Sequence, residues 1–316
     1  MRSSNYHGLL VIGDPHLEGG TPGLRCDDYA NVILEKFRWC LGYAQEQQLL
    51  PALLGDIFHK PRDNPTWMLG SLIDMLTDVE CVGVYGNHDC ADPRLSDHDS
   101  LTLLVKAGRV RLLDDRPWRG TMNRTTVLVG GSSYRKALPE RVVSDGGDPS
   151  QKQLACWLTH HDILVPGYEE HGRIKPQEIE GVDLVVNGHI HRRLADVQVG
   201  RTLWMTPGNI SRRTRSDGTK DHTPAALRID VEDGEFRRTF VVIPHRPFEE
   251  VFHASIEDAP DAPTGSGFVA GLKELLVRRS AAGAGLEAFL EQNLAQFEPP
   301  VATEIRRLAK EVGNNG

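Results

Sequence analysis

The chain has 316 residues and a formal net charge of −8 at pH 7, which allows one large domain or two. A negative chain lacks the overall basic character of most nucleic-acid-binding proteins, so any contact with a phosphate backbone must be local. The five scattered cysteines argue against a disulfide framework. The N-terminus has no apolar leader, and no run approaches the roughly 18 apolar residues of a membrane span. We therefore expect a cytoplasmic protein without membrane contact.

Short apolar runs alternate with amphipathic stretches over much of the chain. The runs predict buried strands at residues 8–12, 49–54, 81–85, 110–113, 154–159 and 182–186. Apolar residues at helical spacing predict helices at residues 28–47, 66–76 and 100–105. This alternation indicates an α/β fold.

From residue 194 onward the pattern changes to hairpin strands. Residues 194–205 and 226–243 are rich in β-forming residues, and residues 232–235 form a turn within the second stretch. The core is then expected to be a β-sandwich flanked by helices. We assign residues 1–245 to this domain. Residues 246–316 form a C-terminal extension made of a strand, a Pro-rich and Gly-rich linker, and a small helical docking or capping segment.

Polar clusters follow five of the predicted strands. Ligands of open α/β sheets gather beyond the carboxyl ends of the strands, so these clusters can converge on one crevice. Asp, His and Asn supply the oxygen and imidazole donors that divalent transition metals accept. The clusters are Asp14-Pro15-His16, Gly55-Asp56-Ile57-Phe58-His59, Gly86-Asn87-His88-Asp89, His160-His161 and Gly188-His189-Ile190-His191.

The third of these clusters is the most specific. An amide beside an imidazole and a carboxylate on a tight turn is unusual for a plain loop. Asn87 would give its carbonyl oxygen to a metal ion. His88 would stand near the substrate, where an ordinary histidine pKa suits general acid catalysis.

The spacing of the histidines in the last two clusters predicts which of them can reach one site. His160 and His161 are adjacent, so on an extended chain they point in opposite directions. We favour His160 as the ligand and keep His161 as the alternative. His189 and His191 are two residues apart and share a face, so both can reach one site.

The charge of such a site suits the cleavage of phosphate esters. Two divalent ions carry more positive charge than Asp14 and Asp56 return, and the histidines and Asn87 return none. The site stays positive, attracts an anionic phosphate and lowers the pKa of a bridging water. Both ions can then stabilise the charge that in-line attack develops on phosphorus.

Taken together, the clusters resemble those of the calcineurin-like metallophosphoesterase superfamily over about residues 7–245. The resemblance implies a sandwich of two mixed sheets with helices on both outer faces, and a dinuclear hydrolase in which His88 acts on the leaving group. It implies that metal one is held by Asp14, His16, Asp56 and His191, and metal two by Asp56, Asn87, His160 and His189. Mn2+ is the expected ion, with Zn2+ or iron as alternatives.

A narrower resemblance concerns His59. In Gly-Asp-Ile-Phe-His this residue is similar to its counterpart in the SbcD-type DNA-repair nucleases, which partner coiled-coil SMC-like ATPases. That resemblance implies that His59 lies near the substrate phosphate, although the bare sequence equally allows a capping role. Arg25 with Asp28, and residues 207–211, are also similar to that group.

These observations predict a manganese-dependent phosphodiesterase that cuts DNA as an exonuclease or endonuclease. We expect it to be the nuclease subunit of a DNA repair or recombination complex, with an ATPase partner or as a homodimer. Arg212, Arg213 and Arg215 lie in a polar loop after the last cluster and are candidates for substrate binding. One alternative is an enzyme that hydrolyses small nucleotides or phosphoproteins. The other is a non-catalytic interaction subunit.

Overall fold

Two mixed six-stranded β-sheets form the core of the protein, in a computed structural model that describes residues 6–114, 116–143, 153–215 and 220–253. The chain divides into two units after His253, and only the first is described here. The predicted linker and the helices of the C-terminal extension lie outside the described residues.

The first sheet combines strands from both ends of this unit. Its order is β12-β11-β1-β2-β3-β4, with β1 parallel to β2 and antiparallel to β11. The strands are β1 (Gly8–Ile12), β2 (Leu49–Leu53), β3 (Val82–Gly83), β4 (Arg111–Leu112), β11 (Ala225–Glu232) and β12 (Glu235–Val242).

The second sheet is built from the middle of the chain. Its order is β5-β6-β7-β8-β10-β9, with β6, β7, β8 and β10 parallel to one another and an antiparallel strand at each edge. The strands are β5 (Trp118–Met122), β6 (Thr125–Ser132), β7 (Gln153–Thr159), β8 (Leu184–Asn187), β9 (Val197–Val199) and β10 (Thr202–Met205).

Strand alternation sends side chains to two different apolar layers. On β1, Leu9 and Val11 face the second sheet and pack with residues such as Val129 of β6. Leu10 and Ile12 point the other way, into a layer shared with the helices. Both faces of β1 are therefore buried, which explains why this strand is a continuous apolar run.

Helices cover the outer face of the first sheet. They are α1 (Tyr29–Glu46), α2 (Thr66–Met75) and α3 (Ser100–Lys106), and Asp28 caps α1 by accepting a hydrogen bond from the backbone of Asn31. Over the second sheet, Ile163, Val165 and Ile179 come from segments that contain no helix within the described ranges. The predicted sandwich of two mixed sheets flanked by helices is confirmed, and the helices of the described ranges lie on the first sheet.

Most predicted elements are confirmed, with three differences. The strand predicted at residues 81–85 shrinks to the two residues of β3. The β5–β6 hairpin, which turns at Asn123 and Arg124, was not predicted. A single helical turn, α4 (Phe248–Val251), lies where the C-terminal extension was predicted to begin with a strand.

Two further features concern the cysteines and the helices. All five cysteines are free thiols. Within the described residues, no helix is both long and apolar enough to cross a membrane.

Candidate metal centre

The carboxyl ends of β1, β2 and β8 bring the first group of candidate ligands together. Asp14, His16, Asp56 and His191 each offer a ligand atom, and these atoms lie within 4.8 Å of one another. Nε2 of His16 is 2.9 Å from Nε2 of His191 and 3.7 Å from Oδ2 of Asp56. This is the set that the sequence predicted for metal one, and its role as a ligand set stays a prediction.

A second group lies beside the first. Asp56, His160 and His189 also offer atoms within 4.8 Å of one another. Oδ1 of Asn87 joins them, 3.1 Å from Nε2 of His160 and 2.9 Å from Nδ1 of His189. Asp56 belongs to both groups, which is the position a bridging carboxylate requires.

Close backbone packing fixes the shared carboxylate of Asp56. Its Oδ1 accepts a hydrogen bond from the backbone N–H of His88 at 2.8 Å. A Cβ atom added to Gly86 would lie only 2.1 Å from the same oxygen. Glycine is therefore required at position 86 for the carboxylate to occupy this place.

Four of the candidate ligands have left-handed backbone conformations. Asp14, His16, Asp56 and His189 have φ angles of 37°, 48°, 46° and 71°. Such conformations cost on the order of 1–3 kcal/mol each for residues other than glycine and are concentrated at functional sites. The sharp turns let side chains from different strand ends face one another.

Unsatisfied buried atoms in the first group fit a cation. Asp14 is 0 % exposed, and its Oδ2 has no hydrogen-bond partner among the described residues. Burial raises the pKa of Asp14 to about 7, because the nearby histidines only partly offset the loss of water. Burial also lowers the pKa of His16 well below its usual value, so its imidazole is neutral, as metal ligation requires. The residues present therefore fit a divalent metal.

In the second group, neighbouring histidines keep the carboxylate of Asp56 ionised. Burial alone would raise the pKa of Asp56, but the neighbouring His160 and His16 hold it well below its usual range. Nδ1 of His160 lies 2.6 Å from the carbonyl oxygen of Leu54, which leaves Nε2 facing Asp56 and Asn87.

His59 and His88 lie against the first group, and with His16 they form a third set whose possible ligand atoms lie within 4.8 Å of one another. Their rings stack with centroids 4.9 Å apart, and His88 is equally close to His16, edge to face. The carbonyl oxygen of His59 accepts a hydrogen bond from Nδ1 of His88 at 2.8 Å. This bond leaves Nε2 of His88 to give or take a proton. Burial, with the nearby charge of Arg213, lowers the pKa of His59 to about 3.

Of the two adjacent histidines, the structure brings His160 into the site. His161 belongs to neither ligand group. Its Nδ1 pairs with the hydroxyl of Thr159, and its Nε2 lies 2.9 Å from the carbonyl oxygen of Lys136. The alternation of side chains on an extended strand separates the two as the sequence suggested.

Two acidic residues near the site carry roles that the sequence did not reveal. Oδ1 of Asp162 lies 2.8 Å from Nε2 of His189, the ring nitrogen that faces away from the second group. Such a carboxylate orients a ligating imidazole and raises its basicity. Buried Asp89 accepts hydrogen bonds from the backbone N–H groups of Phe58 and Gly86. It joins the two loops that carry Asp56 and Asn87.

Hydrogen bonds from the segment after β10 support the backbone that carries the first group. The backbone N–H of Asn209 donates to the carbonyl oxygen of His191, and that of Ile210 donates to the carbonyl oxygen of Gly13. Buried Lys36 on α1 donates in turn to the carbonyl oxygen of Ile210 at 3.2 Å.

The three candidate substrate-binding arginines have different surroundings. Arg212 is only 7 % exposed and donates to the carbonyl oxygens of His222 and Arg246, so its predicted contact with substrate does not agree with this interior position. Arg213 forms an ion pair with Glu18 at 2.9 Å. The guanidinium carbon of Arg215 lies 5.1 Å from the ring centre of Phe248. For Arg213 and Arg215, substrate binding stays a prediction.

Two adjoining groups of N and O donors at the end of a two-sheet sandwich define a metal-dependent phosphoester hydrolase. Divalent ions bound there would polarise a phosphate ester and lower the pKa of water. The chain belongs to the calcineurin-like phosphoesterase family, whose sequence model matches residues 8–193. No curated protein sequence gave a significant match.

Two solved structures are similar to the chain at low identity. A hypothetical protein from Thermus thermophilus is 15 % identical over 75 % of this chain and 99 % of its own, with a TM-score of 0.40. Vacuolar Protein Sorting 29 from Cryptosporidium parvum is 16 % identical over 74 % of this chain and 95 % of its own, with a TM-score of 0.30.

Proposed function

We propose that this family member is a phosphodiesterase that cuts DNA, as the nuclease subunit of a DNA repair or recombination complex. The observation that carries the proposal is the pairing of His59 with His88 beside the first ligand group, with ring centroids 4.9 Å apart. The proposal is also supported by the resemblance to SbcD-type nucleases, which implies that His59 lies near the substrate phosphate.

His88 suits the cleavage of an alkyl phosphate ester such as a DNA phosphodiester. The alkoxide that leaves from a DNA phosphodiester is strongly basic, so proton donation to the leaving oxygen matters. The bond from Nδ1 of His88 to the carbonyl oxygen of His59 fixes the ring and leaves Nε2 to supply that proton.

Mn2+ is the ion we propose, since carboxylate, amide and imidazole donors without thiolates suit it. Zn2+ and iron are the alternatives. A net charge of −8 does not favour autonomous binding to DNA. We therefore propose a cytoplasmic assembly in which a coiled-coil ATPase supplies much of the DNA affinity, with a homodimer as the alternative assembly.

The test is a nuclease assay with Mn2+ on labelled linear, hairpin and circular DNA, run beside a chromogenic phosphodiester and a phosphomonoester. We expect cleavage of DNA and of the diester, and loss of both in His88→Gln. His171→Gln is the matched control, because His171 is exposed and lies outside both ligand groups. Hydrolysis confined to the monoester would refute the nuclease proposal. Co-purification that recovers no ATPase would count against the proposed complex.

The second candidate function is hydrolysis of small nucleotides or phosphoproteins. The acidic net charge and the engagement of Arg212 and Arg213 within the protein favour it. It predicts rapid hydrolysis of a mononucleotide ester and little cleavage of DNA. A purely non-catalytic subunit would be refuted by activity that disappears in Asp56→Ala.

A further inference from the structure

A cationic pocket adjoins the second ligand group through Tyr134, whose ring lies beside those of His189 and His160. Its volume is about 410 Å3, and its lining includes Tyr85, Arg94, Tyr134, Arg135 and Lys136. None of these residues belongs to either ligand group. The pocket therefore offers binding chemistry that the metal centre itself does not use.

Tyr134 both lines the pocket and lies beside the second ligand group. Its ring centre lies 6.3 Å from that of His189, with the planes 25° apart, and 6.4 Å from that of His160. His59 and His88 contact the first group instead, through His16. A substrate that extends from His88 past His16 and His189 would come to lie beside Tyr134 and this pocket.

Hydrogen bonds fix the loop that contributes Arg135 and Lys136 to the pocket. Ser133 donates to the carboxylate of Asp114 through both its N–H and its hydroxyl, and its Oγ accepts the N–H of Tyr85 at 2.9 Å. The carbonyl oxygen of Lys136 is bonded to His161. These contacts leave the side chains of Arg135 and Lys136 to the pocket.

Three cations of the pocket have no acidic partner among the residues that the structure describes. Within the described ranges, no carboxylate lies at ion-pair distance from Arg94, Arg135 or Lys136, whereas Arg213 on the other side of the site is paired with Glu18. The guanidinium carbon of Arg135 lies 5.2 Å from the ring centre of Tyr134, a cation–π contact that orients its donors. In a chain with a net charge of −8, such a concentration of unpaired positive charge indicates an anionic ligand.

We propose that this pocket is a subsite for the backbone phosphates of a single-stranded polynucleotide, adjacent to the phosphate that is cleaved at the metal centre. Arg135 presents a planar fork suited to phosphate oxygens, and Lys136 and Arg94 add flexible or exposed charges beside it. Three cations in one pocket match a ligand with phosphates in series, which a polynucleotide supplies on either side of the scissile bond. The inference rests on the proposed nuclease function and specifies how the strand is held.

The test measures binding of the full-length protein in Mn2+ to a fluorescein-labelled phosphorothioate thymidine hexanucleotide that resists cleavage, by fluorescence anisotropy. Thymidine 5′-monophosphate is the single-phosphate probe, used as a competitor. We expect Arg135→Gln and Lys136→Gln each to weaken hexanucleotide binding about tenfold, as loss of a charged hydrogen bond does. Each should reduce the slope of log affinity against log salt by about 0.7. Affinity for the monophosphate should stay within about twofold.

Arg124→Gln is the matched control. Arg124 is exposed and has a φ of 67°, close to the 63° of Arg135. It precedes β6, whereas Arg135 follows it, so the eight residues of the strand place the two roughly 26 Å apart. Hexanucleotide binding should be unchanged in this variant.

Several results would overturn the subsite. In the variants, these are an unchanged affinity for the hexanucleotide, or an equal loss of affinity for the monophosphate. In the wild type, they are an affinity for the hexanucleotide no higher than for the monophosphate, or competition by tripolyphosphate as strong as by the unlabelled hexanucleotide. The proposed function fails separately. A wild-type protein that binds the hexanucleotide through Arg135 and Lys136 but cuts no DNA would refute the nuclease and retain the subsite. DNA cleavage with unaltered binding in the variants would do the reverse.

Discussion

Replacing Asp162 with alanine should weaken metal binding at the second ligand group. Its carboxylate accepts the bond from Nε2 of His189 at 2.8 Å, and that bond is the main reason the pKa of Asp162 lies below its usual value. Loss of such an outer carboxylate costs about 10–100-fold in metal affinity or activity. Asp162 is only half-buried, so we expect the lower end, about tenfold or 1.4 kcal/mol.

Isothermal titration of Mn2+ into metal-stripped protein measures this effect. One of two binding steps should weaken in Asp162→Ala, and less so in Asp162→Asn, which keeps an oxygen acceptor. The backbone contacts of Asp162 with Arg173 and Ile174 remain in both variants. Glu170→Gln, an exposed change in the same segment, is the control. Unchanged affinity in Asp162→Ala, or an equal loss in Glu170→Gln, would refute the reasoning.

Three further predictions concern catalysis, ligand geometry and stability. His88→Gln should lower kcat on a phosphodiester by about a hundredfold or more while calorimetry shows unchanged Mn2+ binding, because the general acid is lost. Gly86→Ala should weaken Mn2+ binding at least about tenfold, since its Cβ would displace Asp56, whereas Gly42→Ala, with open space around position 42, should not. Burial, with nearby arginines, lowers the pKa of Lys36 from 10.5 to about 7, so the folded state releases a proton that the unfolded chain retains. Urea titrations should therefore show the free energy of unfolding rising by roughly 1.4 kcal/mol per pH unit between about pH 7 and pH 10.5. Lys36→Met should lack this rise.

Contradictory outcomes are distinct for each of these. Full activity in His88→Gln would remove His88 from catalysis. Normal Mn2+ binding in Gly86→Ala would show that Asp56 can move without cost. If the free energy of unfolding depends on pH in the same way in the wild type and in Lys36→Met, the pKa of Lys36 is not lowered in the folded state.

The sequence predicted the strands that carry the site because burial on both faces leaves continuous apolar runs. The same reasoning failed for the β5–β6 hairpin, where Asn123 and Arg124 make a tight turn without glycine. Both residues have positive φ angles, and such turns normally signal themselves by Asn-Gly or Asp-Gly. The missed hairpin includes β6, the strand that leads into the loop of Tyr134.

Residue type and strand position were enough to find the candidate ligands but not their supports. Asp162 lies in an irregular segment, and only the fold brings it to His189. Arg212 was predicted to bind substrate, because a sequence does not show that its guanidinium donates to the carbonyl oxygens of His222 and Arg246. Contacts between distant segments therefore account for most of what the sequence left out.

The left-handed backbone at four candidate ligands has a consequence for how the protein can evolve. Glycine would relieve the strain at Asp14, His16, Asp56 and His189, since it adopts positive φ angles freely, but each such change would delete a metal donor. The strained backbone at these positions therefore persists only while selection retains the side chains that they carry.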